Sequence, residues 1–356
     1  MMSQSASDKN DEISDSIRQT LAKHGYQYLR PIGSGGFATV FLVHSDKYSE
    51  EFAVKRIEWK ESDDKEFNTE IDTLLGLSHP LIIRMYEHFR DDDALYIVLE
   101  YCEGGSIKGL VQNSPLEPDK FWKYAKESLQ ALLYCHEKSI AHRDIKPDNM
   151  FIDKYGRVRL ADFGLAHKFT KINEITHPCG SLLYVAPEVL KKKCVDPFAA
   201  DVWSLGITFF YMAAGYPAFP TGNRELLIDR ILLGHPSYPD DLSFPIRNLI
   251  QKMVNLIPKQ RPTVAQILKM PVFNQLLDDV KIKKNITLSS RNSSVINMPS
   301  SRWMSQYIPE IKQPSLKKMQ TRICMHAFVS PPVQLVGPLL SSRKGTGRTK
   351  TFSDIE

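Results

Sequence analysis

The hydrophobic period of the chain changes once, at the triplet Glu103-Gly104-Gly105, and that change restricts the fold more than any other feature. Before it, apolar residues alternate in "YLRPIG", "ATVFLVH" and "EFAVKRIEW", and again in "IIRMYEHF" and "ALYIVLEY". Period-two runs bounded by glycine and polar turns predict five antiparallel strands. One helix interrupts them: Phe67, Ile71, Leu74 and Leu75 fall at helical spacing, with Asp63 and Glu66 as a capping pair and Gly76 and Pro80 ending the run. After the triplet the period becomes helical. Phe121, Tyr124, Ala125, Ser128, Leu129, Leu132 and Leu133 form one stripe over 119–138, and further helices run from Asp201 to about Phe273. Between these, "MFIDKYGRVRLAD" reads as a hairpin turning at Tyr155 and Gly156. The expected fold is therefore α+β, with a small five-stranded antiparallel lobe carrying one helix (28–102) and a larger, mainly helical lobe (103–273). A polar extension (1–27) precedes them, and a basic, Ser-rich tail (274–356) of disordered composition follows.

Charge narrows the partners. Residues 281–356 hold thirteen Lys/Arg against three acids, so the tail carries +10 and the preceding 280 residues −5 of the overall +5. An acidic body argues against a nucleic-acid surface. The uncharged stretch from Val202 to Asn223 is broken by Pro217, Pro220 and Gly222, which leaves it short of the roughly 20 apolar residues a bilayer span needs. A buried core helix is expected there, and no membrane association. The N-terminus has no apolar core segment and no glycine for myristoylation, and none of the five cysteines pairs at C-x-x-C spacing. These features predict a cytoplasmic location, with nuclear entry left open.

The chemistry lies in five short stretches. In "IGSGGFATVF", Gly33, Gly35 and Gly36 remove the Cβ atoms that would hold a backbone away from phosphate groups. Lys55 stands mid-strand in "FAVKRI", and Glu70 falls on the apolar stripe of the first helix. A buried carboxylate needs a cation, so the two are expected to pair, leaving Lys55 aimed at an anion beside the glycine turn. The loop "HRDIKPDN" (142–149) packs six polar or charged residues around one proline and one isoleucine. Asn149 opens the first strand of the hairpin and Asp162 follows the second, so both belong at its mouth, where an amide oxygen and a carboxylate suit magnesium. Asp144 is left to accept a proton from an alcohol, and Lys146 to neutralise a transferred phosphoryl group.

Taken together these stretches resemble the eukaryotic protein kinases: "GSGGFATV", "AVK" at 53–55, Glu70, "HRDIKPDN", "DFG" at 162–164, "APE" at 186–188 and "DVWSLG" at 201–206 occur in unbroken order from about Tyr28 to Phe273. The lysine of "DIKPDN" is similar to the serine/threonine branch. "GSLLYVAPEVL" and "MAAGYPAF" resemble the calcium/calmodulin-dependent and AMP-activated group, while "HRDIKPDNMF" is also similar to the NIMA-related kinases; the first group is the preferred reading.

The resemblance implies a bilobal kinase fold and transfer of the γ-phosphate of ATP, with magnesium, to Ser/Thr hydroxyls of protein substrates in signalling. It implies that Lys55, tied down by Glu70, holds the α- and β-phosphates, that Asn149 and Asp162 bind magnesium, and that Asp144 is the base, assisted by Lys146. ATP would lie under Ile32, Gly33, Ser34, Gly35, Gly36, Phe37 and Ala38. Its adenine would sit between Val40 and Ala53 above and Phe151 below, with Leu99 at the back and the backbone of Glu100 and Cys102 as hydrogen-bond partners. Leu74, Met85, His142 and Phe163 would stack between the lobes, and Arg261 would pair with Glu188.

Other positions depart from the pattern or leave alternatives. Ala38 replaces the third glycine of the loop. In the segment from Asp162 to Glu188, Thr176 beside His177 is a candidate phosphosite with Arg143 as its partner, set against a segment ordered without modification. Where arginine-directed relatives carry three acids, this chain has Ser106, Asp148 and Tyr211, so a weak preference for upstream arginine at best is expected. Leu182 and Val185 suggest an apolar pocket for the residue after the acceptor. In the tail, Met319, Ile323 and Phe328 among Lys317, Lys318 and Arg322 offer a possible calmodulin or regulatory-partner site, against an incidental pattern in a disordered tail. A pseudokinase scaffold would lack one of Lys55, Asp144, Asn149 or Asp162, and all four are present.

Overall fold

The computed structural model describes residues 13–35, 38–58, 71–112, 114–169, 180–191, 196–219 and 222–273. The first lobe is a five-stranded antiparallel sheet of β1 (Tyr26–Ser34), β2 (Ala38–Ser45), β3 (Glu50–Glu58), β4 (Met85–Arg90) and β5 (Ala94–Glu100), in the order β1-β2-β3-β5-β4. All five expected strands form, but the fourth starts at Met85. Ile82 and Ile83 leave the sheet for the second lobe: Ile82 bridges Leu160, whose carbonyl accepts the Ile83 N–H at 2.8 Å.

Strand alternation assigns the two faces of this sheet. Phe52, Val54, Tyr96 and Val98 point to one face, where they cluster with Phe41, Val43 and Phe89. Ile57, Leu95 and Ile97 point to the other, where they meet Ile71 of a helix, α2, described over 71–76. Lys55 has the parity of Ile57, so its aliphatic stem runs along the second face and brings a cation toward the junction of the lobes. The expected caps of α2, Asp63 and Glu66, and its Phe67 lie outside the described residues.

The first face has a cover that the sequence reading passed over. In the segment read only as a polar extension, Asp15–Lys23 forms a helix, α1, capped by Ser14 and docked on the sheet. Its mostly polar sequence carries a narrow stripe: Leu21 is fully buried with the sheet cluster, and Ile13 and Ile17 pack beside it. Polar contacts fix the register. The Thr20 hydroxyl donates to Asp91 Oδ2 at 3.3 Å, the His24 ring stacks on Phe89 with centroids 3.7 Å apart, and the Arg18 guanidinium lies 4.7 Å from the Tyr28 ring centre. Truncating Leu21 to Ala should lower stability by about 2–5 kcal/mol, the range for an aliphatic side chain lost from a closed site. The midpoint of urea denaturation measures this, and a variant indistinguishable from the parent would show that α1 is not docked.

The second lobe is built on α4 (Pro118–Glu137) and α6 (Pro197–Ala214), with α3 (Ile107–Val111), α5 (Pro187–Leu190), α7 (Arg224–Leu233), α8 (Phe244–Met253) and α9 (Val264–Leu268) around them. The predicted stripe of α4 is buried from Phe121 to Leu132, with Leu133 half-buried at its edge. Helix α6 is the buried core helix expected from its uncharged run; Trp203, Leu205 and Phe209 are wholly inaccessible. It begins at Pro197, four residues before the expected Asp201. Asp196 caps it by accepting the N–H groups of Phe198 and Ala199, and Pro197 in the first turn needs no such partner. Where α6 crosses α8, a Cβ on Gly206 would sit 2.9 Å from Met253 Cβ, so only glycine allows the approach.

The expected Arg261–Glu188 pair is present and buried. Its two guanidinium bonds measure 2.6 and 2.8 Å, and Arg261 also donates to the carbonyls of Ala199 and Asn255. The segment after the mouth of the cleft is thereby fastened to the base of the second lobe. Among the described residues, no helix is long and apolar enough to cross a membrane.

Candidate active site

The predicted hairpin is observed as β7 (Met150–Ile152) and β8 (Val158–Leu160), with Gly156 at φ 71° in its turn. Just before it, "HRDIKPDN" is irregular except for a 3₁₀ turn at Pro147–Asn149. What holds the loop is an acid in the most apolar helix. Asp201, at the core end of α6 and 1 % exposed, accepts the backbone N–H groups of His142 and Arg143, each at 2.8 Å, and faces His136 Nε2 at 3.0 Å. Those bonds fix Arg143 in a left-handed conformation, φ 70°, which turns the chain sharply into Asp144. The buried His142 ring is oriented at both nitrogens. Nε2 lies 3.0 Å from the Ala161 carbonyl oxygen, which can only accept, so Nε2 carries the hydrogen and Nδ1 accepts the Asp144 N–H at 3.3 Å.

The Asp144 carboxylate is fully engaged. Its Oδ1 accepts from the Ser181 N–H at 2.9 Å and the Ser181 hydroxyl at 3.0 Å, while Oδ2 accepts from Lys146 Nζ at 2.6 Å and Asn149 Nδ2 at 3.1 Å. Lys146 also reaches Ser181 Oγ at 2.9 Å. Ser181 was not singled out from sequence; the one local signal is its position after Gly180. That glycine sits at φ 97°, and a Cβ there would stand 2.6 Å from the Arg143 carbonyl oxygen, so the segment can press against the loop only through glycine.

Asn149 uses its amide nitrogen twice, toward the Asp144 carbonyl (2.9 Å) and carboxylate, which leaves the amide oxygen as the group available to a cation. Asp162, with φ 64°, follows β8, and its carboxylate receives Lys55 Nζ at 3.0 Å. Two residues 107 positions apart in sequence thus meet at the junction of the lobes. Burial alone would raise the Asp162 pKa, but the Lys55 ammonium outweighs it and holds the carboxyl below its ordinary range, so the group is ionised near neutrality.

This donor set fits magnesium in particular. A carboxylate and an amide oxygen leave most of the coordination sphere to water and phosphate, as that ion prefers. Among the described residues, no cluster of three or more His, Cys, Asp or Glu side chains forms a self-sufficient metal cage. Glu70, the expected partner of Lys55, lies outside the described residues, as do Gly36, Phe37, Thr176, His177 and the tail.

The remaining predicted positions surround the same junction. Ile32, Gly33 and Ser34 end β1 and Ala38 and Val40 open β2, closed at the turn by the Gly35 N–H donating to the Ala38 carbonyl at 2.8 Å. Val40 pairs with Lys55 across β2 and β3, and Ala53 with Leu99 across β3 and β5. Val40, Ala53, Leu99 and Phe151 are each half-buried, unlike the fully buried Val54 and Val98 beside them, as expected of the walls of an open cleft. The turn that links the lobes is pinned from below: the Gly104 N–H donates to the Ile152 carbonyl at 3.0 Å, where a Cβ on Gly104 would come within 2.8 Å. Glu100 is bound through its side chain to Arg159 at 2.8 Å, and burial pushes the Cys102 thiol up to about 12, so that sulfur is not a nucleophile. Leu74 and Phe163 are buried together with Met85 packed against them, and the His142 and Phe163 rings meet edge-on at 4.8 Å, which continues the expected column between the lobes.

Comparison with known proteins agrees with this geometry. The protein kinase domain family matches residues 26–273. The chain belongs to that family. It is 34 % identical over 247 residues to sperm motility kinase 2B of Mus musculus, covering 69 % of this chain and 51 % of the relative. Two rice proteins (Oryza sativa subsp. japonica), CBL-interacting protein kinases 32 and 9, are 32 % and 33 % identical over 276 and 284 residues. These matches cover 72 % and 74 % of this chain and 63 % and 62 % of the relatives. The kinase chain therefore spans between half and two-thirds of the length of the curated relatives it matches.

Proposed function

We propose that this kinase-family chain is an active serine/threonine protein kinase that uses ATP with magnesium. One observation carries the reading: an alcohol is already hydrogen-bonded to the Asp144 carboxylate, with the Lys146 ammonium on the same oxygen atom of that alcohol. Ser181 occupies the pose that a substrate serine would take. Asp144 accepts the proton as the hydroxyl oxygen attacks the γ-phosphorus of ATP and the bond from that phosphorus to the β-phosphate oxygen breaks, releasing ADP, while Lys146 compensates the charge that builds on the transferred group. Lys55, supplied by β3 and now on Asp162, would serve nucleotide phosphates; Asp162 and the Asn149 amide oxygen would hold magnesium, which would neutralise phosphate charge. His142 and Asp201 do no chemistry and keep the loop in register.

The expected result with γ-labelled ATP and a generic protein substrate is label on serine and threonine, abolished by Lys55→Met. Label on tyrosine alone, or hydrolysis of ATP with no label on protein, would overturn the reading. The resemblance to the calcium/calmodulin-dependent and AMP-activated group and the basic amphipathic segment at 317–328 support a regulatory partner at the tail, and the free, buried thiols of Cys102 and Cys135 support a reducing compartment such as the cytoplasm.

A further inference from the structure

The approach to Asp144 is bordered on one side by four groups from three elements. Asp148 lies on the 3₁₀ turn beside Asn149, Lys108 on α3 and Tyr211 on α6, and Tyr184 lies close enough to both Asp144 and Asp148 to feel their charges. A polypeptide that offers a hydroxyl to Asp144 must lay its neighbouring residues over this border.

Among the described residues, the carboxylate that joins Asp144 on this border is Asp148, and it has a partner. Lys108 Nζ sits 2.6 Å from Asp148 Oδ1. The side chains are 59 % and 36 % exposed, so the pair stands at the surface where a substrate chain can reach it. Ser106, which precedes it on α3, is committed as the helix cap, its oxygen accepting the Gly109 N–H at 3.2 Å. Burial raises the pKa of both the Tyr184 and Tyr211 phenols, so neither adds a charge.

We propose that Lys108 determines substrate class by occupying Asp148, so that the border is electrically closed and accepts an uncharged residue of the substrate against Tyr184 and Tyr211 rather than an arginine. The inference rests on the protein-kinase reading and adds to it a residue outside the catalytic groups. An arginine from a peptide would have to displace a lysine tethered to the same chain, which competes at high local concentration. It would also meet the repulsion of the displaced ammonium, a like-charge contact that disfavours the wrong partner.

Peptide libraries with a fixed serine and each flanking position varied in turn test this, applied to the parent, Lys108→Ala and the double variant Lys108→Ala/Asp148→Asn. The parent should show no selection for Arg or Lys at positions before the acceptor. Lys108→Ala should gain it at one of them by at least about threefold, the scale of an exposed ion pair, and the double variant should lose it again. A parent that already selects arginine as strongly as Lys108→Ala overturns the proposal, and so does a Lys108→Ala variant that gains none. A parent that labels no peptide and no protein fails the kinase reading itself, a result distinct from either and one that removes this inference with it.

Discussion

Replacing Asp144 with Asn should slow phosphoryl transfer by at least about 10²-fold, the loss typical of a single group that acts on the transition state, while ATP still binds. The effect has two sources. The carboxamide is a poor base, and its NH₂ faces donors whichever way it turns: the Ser181 N–H on one side, Lys146 and the Asn149 amide on the other. The Ser181 contact and the Lys146–Asn149 contact therefore cannot both survive. Single-turnover labelling of a protein substrate gives the rate, and fluorescence titration with a nucleotide analogue gives the binding. Equal rates for variant and parent would remove Asp144 from the role of base. Loss of nucleotide binding in parallel would show that the substitution had collapsed the cleft instead.

The largest loss of stability is expected from Arg261→Ala. Glu188 would then be left 7 % exposed with an unanswered charge, and the carbonyls of Ala199 and Asn255 would lose their donor. Removing one partner from a buried pair costs about 3–5 kcal/mol, and in a domain of this size that corresponds to a fall in Tm of roughly 10 °C. Calorimetry of the parent, Arg261→Ala and the double variant Glu188→Gln/Arg261→Met separates the causes. The double variant removes both charges and should recover part of the loss. If Arg261→Ala melts with the parent, the pair contributes nothing that solvent cannot replace.

Much of this could be read in advance because it rests on short-range patterns. The five strands follow from alternation, α4 from its stripe, and the hairpin from Tyr155 and Gly156. Lys55 and Asp162 could be placed at one junction because strand parity fixes the first and the hairpin fixes the second. The features that escaped depend on residues far apart in sequence. Helix α1 is mostly polar and is ordered by a sheet face that no local window reveals. Ser181 matters only because Gly180 lets its segment press on Arg143. The Lys108–Asp148 contact joins residues 40 positions apart. Asp201 carries a signal of its own: a lone acid in an otherwise uncharged helix has to be bonded to something, and here its partners are the two amides that precede Asp144.

That arrangement bears on how the protein fails under heat. Because the turn carrying Asp144 is tethered to a buried helix rather than to the surface, the candidate site should have no separate melting step. Activity and tertiary structure should vanish along one sigmoidal curve, and partial warming should yield fewer working molecules, each turning over at its normal pace.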